Sequence, residues 1–180
     1  MIHIDPALYH GRPASGREAV EEAVYDFLDS LPVSYDRAEH EAADSMEDCL
    51  AIEQVLKAPI CKNLFLTNRQ KSSFYLLLMP GDKVFHTKDL SSQIGASRLS
   101  FAGPELMQAL LGVQPGSVSV FGLQNDRDHR VRLLMDRDCL RHSRLGFHPC
   151  RNTTTLSVSV LDLKQKILPA LGYEAAEVVL

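Results

Sequence analysis

The sequence predicts an α+β fold in which helices pack against a mixed, mainly antiparallel β-sheet. Two amphipathic helical patterns lie before residue 60, and six or seven short apolar or β-branched runs follow it. A chain of 180 residues can bury a full core without disulfides or a structural metal, and it contains no repeat, low-complexity tract or linker. We therefore expect a single domain over residues 1–180.

The first elements of the chain are two predicted helices. Ser15 and Glu18 have the spacing of a capping box, and apolar residues follow at helical intervals up to Leu31. A second apolar helical face runs through "SMEDCLAIEQVLKAP", and Pro59 closes it. Between the two helices, "VSYDRAEHE" is predicted as an edge strand.

The later elements are mostly strands. "NLFLTN" and "SFYLLLM" flank the polar "RQKS" and predict a hairpin, and "SVSVFGL" and "RVRLLMD" flank "QNDRDH" and predict a second one. Further strands are predicted at "SRLSFA", "TTTLSVSV" and "AEVVL". Helices are predicted at "TKDLSSQI", "GPELMQALLG" and "VLDLKQKILPALG", the last with Ser159 and Asp162 as a cap pair.

Charge is distributed unevenly along the chain. Residues 1–60 carry 13 acidic and 4 basic side chains, whereas the remainder carries 15 basic and 10 acidic. This asymmetry permits a positive face that meets a phosphate backbone, although the net charge is −4. The densest basic stretch, Arg127 to Arg144, interleaves Arg with Asp, so a self-paired solvated surface explains it equally well.

Several functional classes are disfavoured by what the sequence lacks. It has no apolar run of membrane-spanning length and no signal-peptide pattern, so we expect a cytosolic protein. Its four cysteines form no C-x-x-C pair, and nothing indicates a metal or another cofactor. No G-x-S-x-G, P-loop or H-E-x-x-H motif is present, so an enzyme of this sequence would use scattered polar groups and backbone donors.

Three places could carry such chemistry, and each also has a structural explanation. Lys62 and Asn63 put an ammonium and an amide at the start of an apolar strand, either to hold an anionic or ester ligand or as an ordinary polar strand end. Pro115-Gly116 either exposes backbone amides to a ligand or makes a plain turn. His148, biased towards extended backbone by the following proline, is either oriented for function or a core histidine.

The order of these pieces is more specific than any one of them. "KNLFL", "LGVQPGSVSVFGL", "ND" and "FHPCRNTTT", followed by a helix, resemble the YbaK/aminoacyl-tRNA synthetase-associated domain family. Within it, the chain resembles the free-standing, ProX-type relatives of the prolyl-tRNA synthetase insertion domain, from about residue 15 to residue 180. The resemblance implies a partly barrel-like sheet and a trans-acting deacylase that cleaves mischarged tRNA, most typically alanine on proline tRNA.

The resemblance also implies roles for individual residues. Lys62 matches the functional lysine that contacts the tRNA 3′ end, and Asn63 matches a neighbouring partner of the aminoacyl group. Gly116 begins the stretch that matches a G-x-x-x-P loop, whose amides lie near the substrate carbonyl. The resemblance implies that Ser117, Val118 and Val120 of this loop bind the substrate. His148 and Asn152 of the final motif are implied to line the pocket, and His148 is also implied to be catalytic.

One departure from the family pattern keeps other functions open. Val120 stands where the motif has proline, which restores a backbone N–H and adds a branched side chain. A non-catalytic module that binds aminoacyl-tRNA or a synthetase is therefore the alternative, and a small-molecule-binding or DNA-contacting regulator is a third. The implied partners are aminoacyl-tRNA and prolyl-tRNA synthetase, and the sequence does not decide between monomer and homodimer.

Overall fold

The computed structural model describes residues 2–180, and within this range the chain forms nine strands. The strands are β1 (Tyr9–His10), β2 (Asp36–Glu39), β3 (Cys61–Asn68), β4 (Phe74–Pro80), β5 (Leu99–Phe101), β6 (Val131–Asp136), β7 (Arg144–Phe147), β8 (Thr154–Ser159) and β9 (Ala176–Val178). The helices are α1 (Ala19–Asp29), α2 (Met46–Leu56), α3 (Thr87–Ile94), α4 (Pro104–Leu106), α5 (Val160–Asp162) and α6 (Leu168–Leu171). Helix α4 continues into a π-helical segment, Met107–Leu111, and another, Leu163–Ile167, joins α5 to α6.

The strands form two sheets, in agreement with the predicted α+β class. One is antiparallel, in the order β1-β2-β8-β7, and the other is mixed, in the order β5-β3-β4-β6-β9, with β6 parallel to both of its neighbours. A parallel bridge between Ile60 and Gly146 joins the sheets without closing them into a barrel. Strand β2, predicted at an edge, lies between β1 and β8.

The predicted hairpin of β3 and β4 is confirmed. The strands pair in antiparallel register from Cys61 opposite Pro80 to Thr67 opposite Phe74. Asn68 stabilises the turn, because its side-chain oxygen accepts the backbone N–H groups of residues 72 and 73 at 2.9 and 3.1 Å. The alignment places Lys62 and Asn63 at the open end of the hairpin, away from the turn.

The second predicted hairpin is wrong. Strand β6 forms as expected, but both of its edges are occupied by β4 and β9, so no antiparallel partner precedes it. The alternating "SVSV" instead leads into a 3-10 helix, Val120–Asn125, whose start is capped by the Ser119 hydroxyl accepting the Phe121 N–H at 3.2 Å. Gly122 fits close to the preceding segment, since a Cβ there would lie 3.0 Å from the Leu111 carbonyl oxygen.

One of the two predicted helix caps is present in the structure. Helix α1 begins at Ala19 with Glu18 as its N-cap, so the predicted cap by Ser15 is wrong; a Glu22 carboxylate oxygen accepts the Arg17 N–H at 2.7 Å instead. The predicted cap pair at the C-terminal helix is confirmed, with Ser159 Oγ accepting the Asp162 N–H at 2.9 Å.

Helix α2 packs over the junction of the two sheets. Its residues Ile52 and Leu56 are buried against Ala38 and Ile60. A Cβ on Gly146 would lie 2.9 Å from a Leu56 methyl carbon, so glycine at this point of β7 allows the helix to approach the sheet closely. This packing sets the start of α2 beside the start of β3.

All four cysteines are free thiols, with Cys61, Cys139 and Cys150 buried and Cys49 half-buried. Across residues 2–180, every helix is too short or too polar for a bilayer crossing.

Candidate active site

A cleft of about 450 Å³ opens where the start of β3, the start of α2 and the loop around Gly116 meet. Five of the residues predicted for the site line it: Lys62, Asn63, Gly116, Val118 and His148. Three others do not. Ser117 and Val120 belong to the loop but are buried, and Asn152 lies at the edge of the cleft, beside Gly116.

Lys62 supplies a cation to the cleft. It is the second residue of β3 and is half-buried, and its Nζ donates to the backbone carbonyl of Lys83 at 2.7 Å. That contact uses one of three N–H donors. The Lys83 ammonium is paired with Asp136 and Asp138, each at 2.7 Å. Lys62 forms no salt bridge within the described residues, so its charge is available to an anionic ligand.

Asn63 connects β3 to the loop rather than standing free in the cleft. Its Oδ1 accepts the Val120 N–H at 2.9 Å, and its Nδ2 donates to the Cys61 carbonyl at 2.9 Å. One Nδ2 hydrogen is left for a ligand. The backbone N–H of Val120, which a proline at this position would lack, is therefore hydrogen-bonded.

The loop presents free backbone donors. Gly116 has φ of +83°, a left-handed conformation that favours glycine, and the Ser117 N–H donates back to Gln114 at 3.0 Å. The N–H groups of Gly116 and Val118 have no acceptor in the part of the chain that the structure describes. Both residues line the cleft. Two unpaired amides at the wall of a cleft are suited to binding an oxyanion.

His148 is held as a neutral ring. Its Nδ1 lies 3.0 Å from the Thr154 carbonyl oxygen, which can only accept, so Nδ1 carries the proton and Nε2 keeps a lone pair. Burial lowers the pKa of His148 to about 4. The Thr155 hydroxyl lies 3.3 Å from this Nδ1 and 2.9 Å from Nε2 of His40, which links the two histidines.

The opposite wall of the cleft was not predicted. It comes from α2 and the segment before it, which contribute Asp44, Ser45, Cys49 and Glu53. Capping by Ser45, whose Oγ accepts the Asp48 N–H at 3.1 Å, fixes the start of this helix. The "SMED" pattern could have located that start, but nothing in the sequence indicates that the helix faces β3.

An exposed aromatic residue forms part of the rim. Phe101 ends β5, lines the cleft and is 59% exposed. Its ring lies 6.1 Å from that of Phe85 in an edge-to-face arrangement. An exposed aromatic ring at the rim of a cleft offers a flat apolar surface to a ligand.

Across residues 2–180, no group of three or more His, Cys, Asp or Glu side chains is placed to hold a metal ion.

Comparison with known proteins identifies the family. Residues 40–166 match the aminoacyl-tRNA editing domain, so the chain belongs to this family and the resemblance in its motifs is confirmed. Over 152 residues it is 33% identical to the prolyl-tRNA editing protein ProX of Acetoanaerobium sticklandii, covering 84% of this chain and 92% of that protein. It is 30% identical over 139 residues to prolyl-tRNA synthetase associated domain-containing protein 1 of Mus musculus, covering 75% and 82%.

Solved structures share the fold. A crystal structure of a candidate trans-editing enzyme for prolyl-tRNA synthetase has a TM-score of 0.63 at 17% identity and covers 90% of this chain and 98% of that one. The hypothetical protein APE2540 has a TM-score of 0.64 at 19% identity, covering 89% and 98%. At these identities, the likeness concerns the fold alone.

Proposed function

We propose that the protein is a trans-acting deacylase that hydrolyses the ester of mischarged tRNA, with alanine on proline tRNA as its substrate. One observation carries this proposal: Lys62, which forms no salt bridge within residues 2–180, lines the same cleft as Gly116 and Val118, whose N–H groups have no acceptor there. Membership of the editing family and the likeness to a protein named ProX support the same assignment.

Substrate binding uses the charge and the aromatic rim. Lys62, with no carboxylate partner among residues 2–180, contacts the phosphate or ribose oxygens of the tRNA 3′ end. Phe101 offers an exposed ring on which a terminal base stacks. The scissile ester then reaches into the cleft beside Gly116.

Hydrolysis needs no protein nucleophile, because an aminoacyl ester is already activated. Water adds to the ester carbonyl, and the Gly116 and Val118 N–H groups stabilise the oxyanion that forms. The bond from carbonyl carbon to ribose oxygen then breaks. The ribose oxygen takes a proton, and the products are the free amino acid and tRNA with a free hydroxyl.

His148 acts in this scheme by orienting water. Its Nε2 has a lone pair, and its Nδ1 is fixed by Thr154. Because its pKa is about 4, the ring is neutral at pH 7 but is a weak proton acceptor. We assign it to positioning the attacking water and assign the final proton transfer to the vicinal ribose hydroxyl.

Selectivity for alanine follows from size. Proline carries two more carbon atoms than alanine, and steric exclusion of a larger group can exceed the roughly 1–3 kcal/mol that attraction supplies per methylene. Gly116 and Val118 give the cleft a wall of backbone and one branched side chain. An enzyme with this activity works in the cytoplasm beside prolyl-tRNA synthetase, which is the proposed partner and the source of its substrate.

The test is deacylation of alanyl-tRNA(Pro) by catalytic amounts of protein. We expect multiple turnovers that release alanine. Lys62→Ala should slow release by about 100-fold or more, because the ester would no longer be held in position. Lys88→Ala, an exposed lysine in α3, is the matched control and is expected to retain activity. Saturable tRNA binding without turnover would contradict the deacylase and support the non-catalytic module.

A further inference from the structure

Asp44 places a carboxylate against the loop that carries the free amides. It precedes Ser45, the N-cap of α2, and lines the cleft as an exposed side chain. A Cβ built on Gly116 would lie 3.7 Å from Asp44 Oδ1. The Asp44 carboxylate therefore lies next to Gly116, the first of the two residues whose N–H groups are proposed to bind the oxyanion.

Asn152 fixes this carboxylate in position. Its Nδ2 donates to Asp44 Oδ1 at 3.1 Å, and its backbone oxygen accepts the Ala43 N–H at 3.1 Å. The two contacts tie the segment before α2 to the final motif of the chain. Within residues 2–180, Asn152 is the one side chain that hydrogen-bonds the Asp44 carboxylate, so Oδ2 and its negative charge remain available to a ligand.

The chemistry of the substrate supplies a matching cation. An amino acid esterified to tRNA carries an ammonium group on the carbon next to the ester carbonyl. If the carbonyl oxygen lies at the Gly116 and Val118 amides, this ammonium lies within a few ångströms of them. A carboxylate at that distance is the strongest partner that a protein offers to an ammonium.

Glu53 is the other carboxylate in the cleft, and its geometry fits this role less well. Its Oε1 accepts the Ile60 N–H at 2.7 Å, which fixes it at the start of β3. It also lies 4.0 Å from a Cβ built on Gly81, away from the Gly116 loop. Asp44 is thus the acid on the side of the cleft where the acyl group reacts.

We propose that Asp44 binds the α-ammonium of the aminoacyl group. The cleft then prefers acyl groups that carry a free α-ammonium over acyl groups that lack one. This inference rests on the proposed function for the position of the ester. It makes Asp44 a specificity-determining residue that touches the substrate.

Binding of non-hydrolysable analogues tests this assignment. The probes are acceptor-stem RNA hairpins that end in 3′-alanylamino-3′-deoxyadenosine or in its propionylamino counterpart, which lacks the ammonium. Calorimetry should show that the protein binds the alanyl probe about tenfold more tightly, as for a hydrogen bond between charged groups. Asp44→Asn should remove this preference without weakening binding of the propionyl probe.

Glu47→Gln is the matched control, since it makes the same charge change in the first turn of α2 at an exposed residue that does not line the cleft. It should keep the preference, and thermal unfolding should show that all variants fold. The proposal is overturned if the unmodified protein binds the two probes equally or binds neither, or if Asp44→Asn keeps the preference or weakens both probes alike.

Hydrolysis of alanyl-tRNA, measured separately, distinguishes the two proposals. A protein that prefers the alanyl probe through Asp44 but never turns over supports this assignment and contradicts the deacylase. A protein that turns over while Asp44→Asn binds both probes as before supports the deacylase and overturns the assignment.

Discussion

The side-chain oxygen of Asn63 accepts the backbone N–H of Val120 at 2.9 Å, which joins the strand bearing Lys62 to the loop bearing Gly116. In the motif that the sequence resembles, proline stands at the position of Val120, and proline has no N–H to donate. The departure that left a non-catalytic function open is therefore accommodated by a specific partner. This hydrogen bond fixes the position of Lys62 relative to the backbone amides of Gly116 and Val118.

A double-mutant cycle measures the bond. Val120→Pro removes the donor, and the backbone tolerates it, because Ser119 is extended and residue 120 begins a 3-10 helix. Asn63→Ala removes the acceptor. Urea unfolding of the single and double variants should give a coupling energy of about 1 kcal/mol. Strictly additive effects would mean that the two residues do not stabilise each other.

Gly116→Ala tests whether the shape of the loop matters for activity beyond its effect on stability. A φ of +83° costs alanine about 1–2 kcal/mol, and the new methyl group would lie 3.5 Å from Asn152 Nδ2, at the edge of the cleft. We expect a modest fall in unfolding free energy and a fall in deacylation of at least about tenfold, from displaced donors.

Gly95→Ala is the matched control for this variant. Gly95 has φ of +63° at the end of α3, and nothing lies within 4 Å of a Cβ built there. It should lose similar stability and keep full activity. Equal losses of activity in the two glycine variants would show that stability, not cleft geometry, is responsible.

The sequence predicted the half of the site that lies on or next to regular elements with clear patterns. Lys62 and Asn63 stand out in the sequence because a polar pair precedes the apolar run of β3, and His148 stands out because proline follows it. The alternation of "SVSV" has the period of a strand, yet the segment from Val120 is a 3-10 helix. A local period cannot reveal that β6 already has neighbours on both edges.

The other half of the site depends on tertiary packing. Asp44 and Glu53 reach the cleft because α2 packs over the junction of the sheets, and Phe101 reaches it because β5 pairs with β3. None of these residues has a local signal for function. Only the sheet order brings them to Lys62, and a single sequence does not determine that order.

Phe101→Ala tests the stacking surface. Because the ring is 59% exposed, its loss should change stability little, while stacking on a base is worth about 1–3 kcal/mol. We expect KM for alanyl-tRNA to rise about tenfold, with kcat nearly unchanged. Phe101→Trp should restore KM, and Val84→Ala, at a residue that is 73% exposed, is the control. A fall in kcat at constant KM would instead place Phe101 in the chemical step.

The His148 ring predicts a pH dependence of stability. Burial lowers its pKa to about 4, below the ordinary value of 6.5, so the unfolded chain takes up a proton at higher pH than the folded protein does. The stability contributed by the neutral ring is therefore complete above about pH 6.5 and is lost as the pH falls towards 4. The loss amounts to about 2–3 kcal/mol for this residue.

His148→Asn isolates this contribution, because the asparagine amide can still donate to the Thr154 carbonyl but does not titrate. Urea unfolding between pH 7 and pH 4.5 should show a shallower loss of stability in His148→Asn than in the unmodified protein. His142→Asn makes the same substitution at an exposed histidine and is the matched control for the replacement itself. If His148→Asn and the unmodified protein lose stability in parallel, the imidazole is not held neutral by burial, and its role in orienting water loses its physical basis.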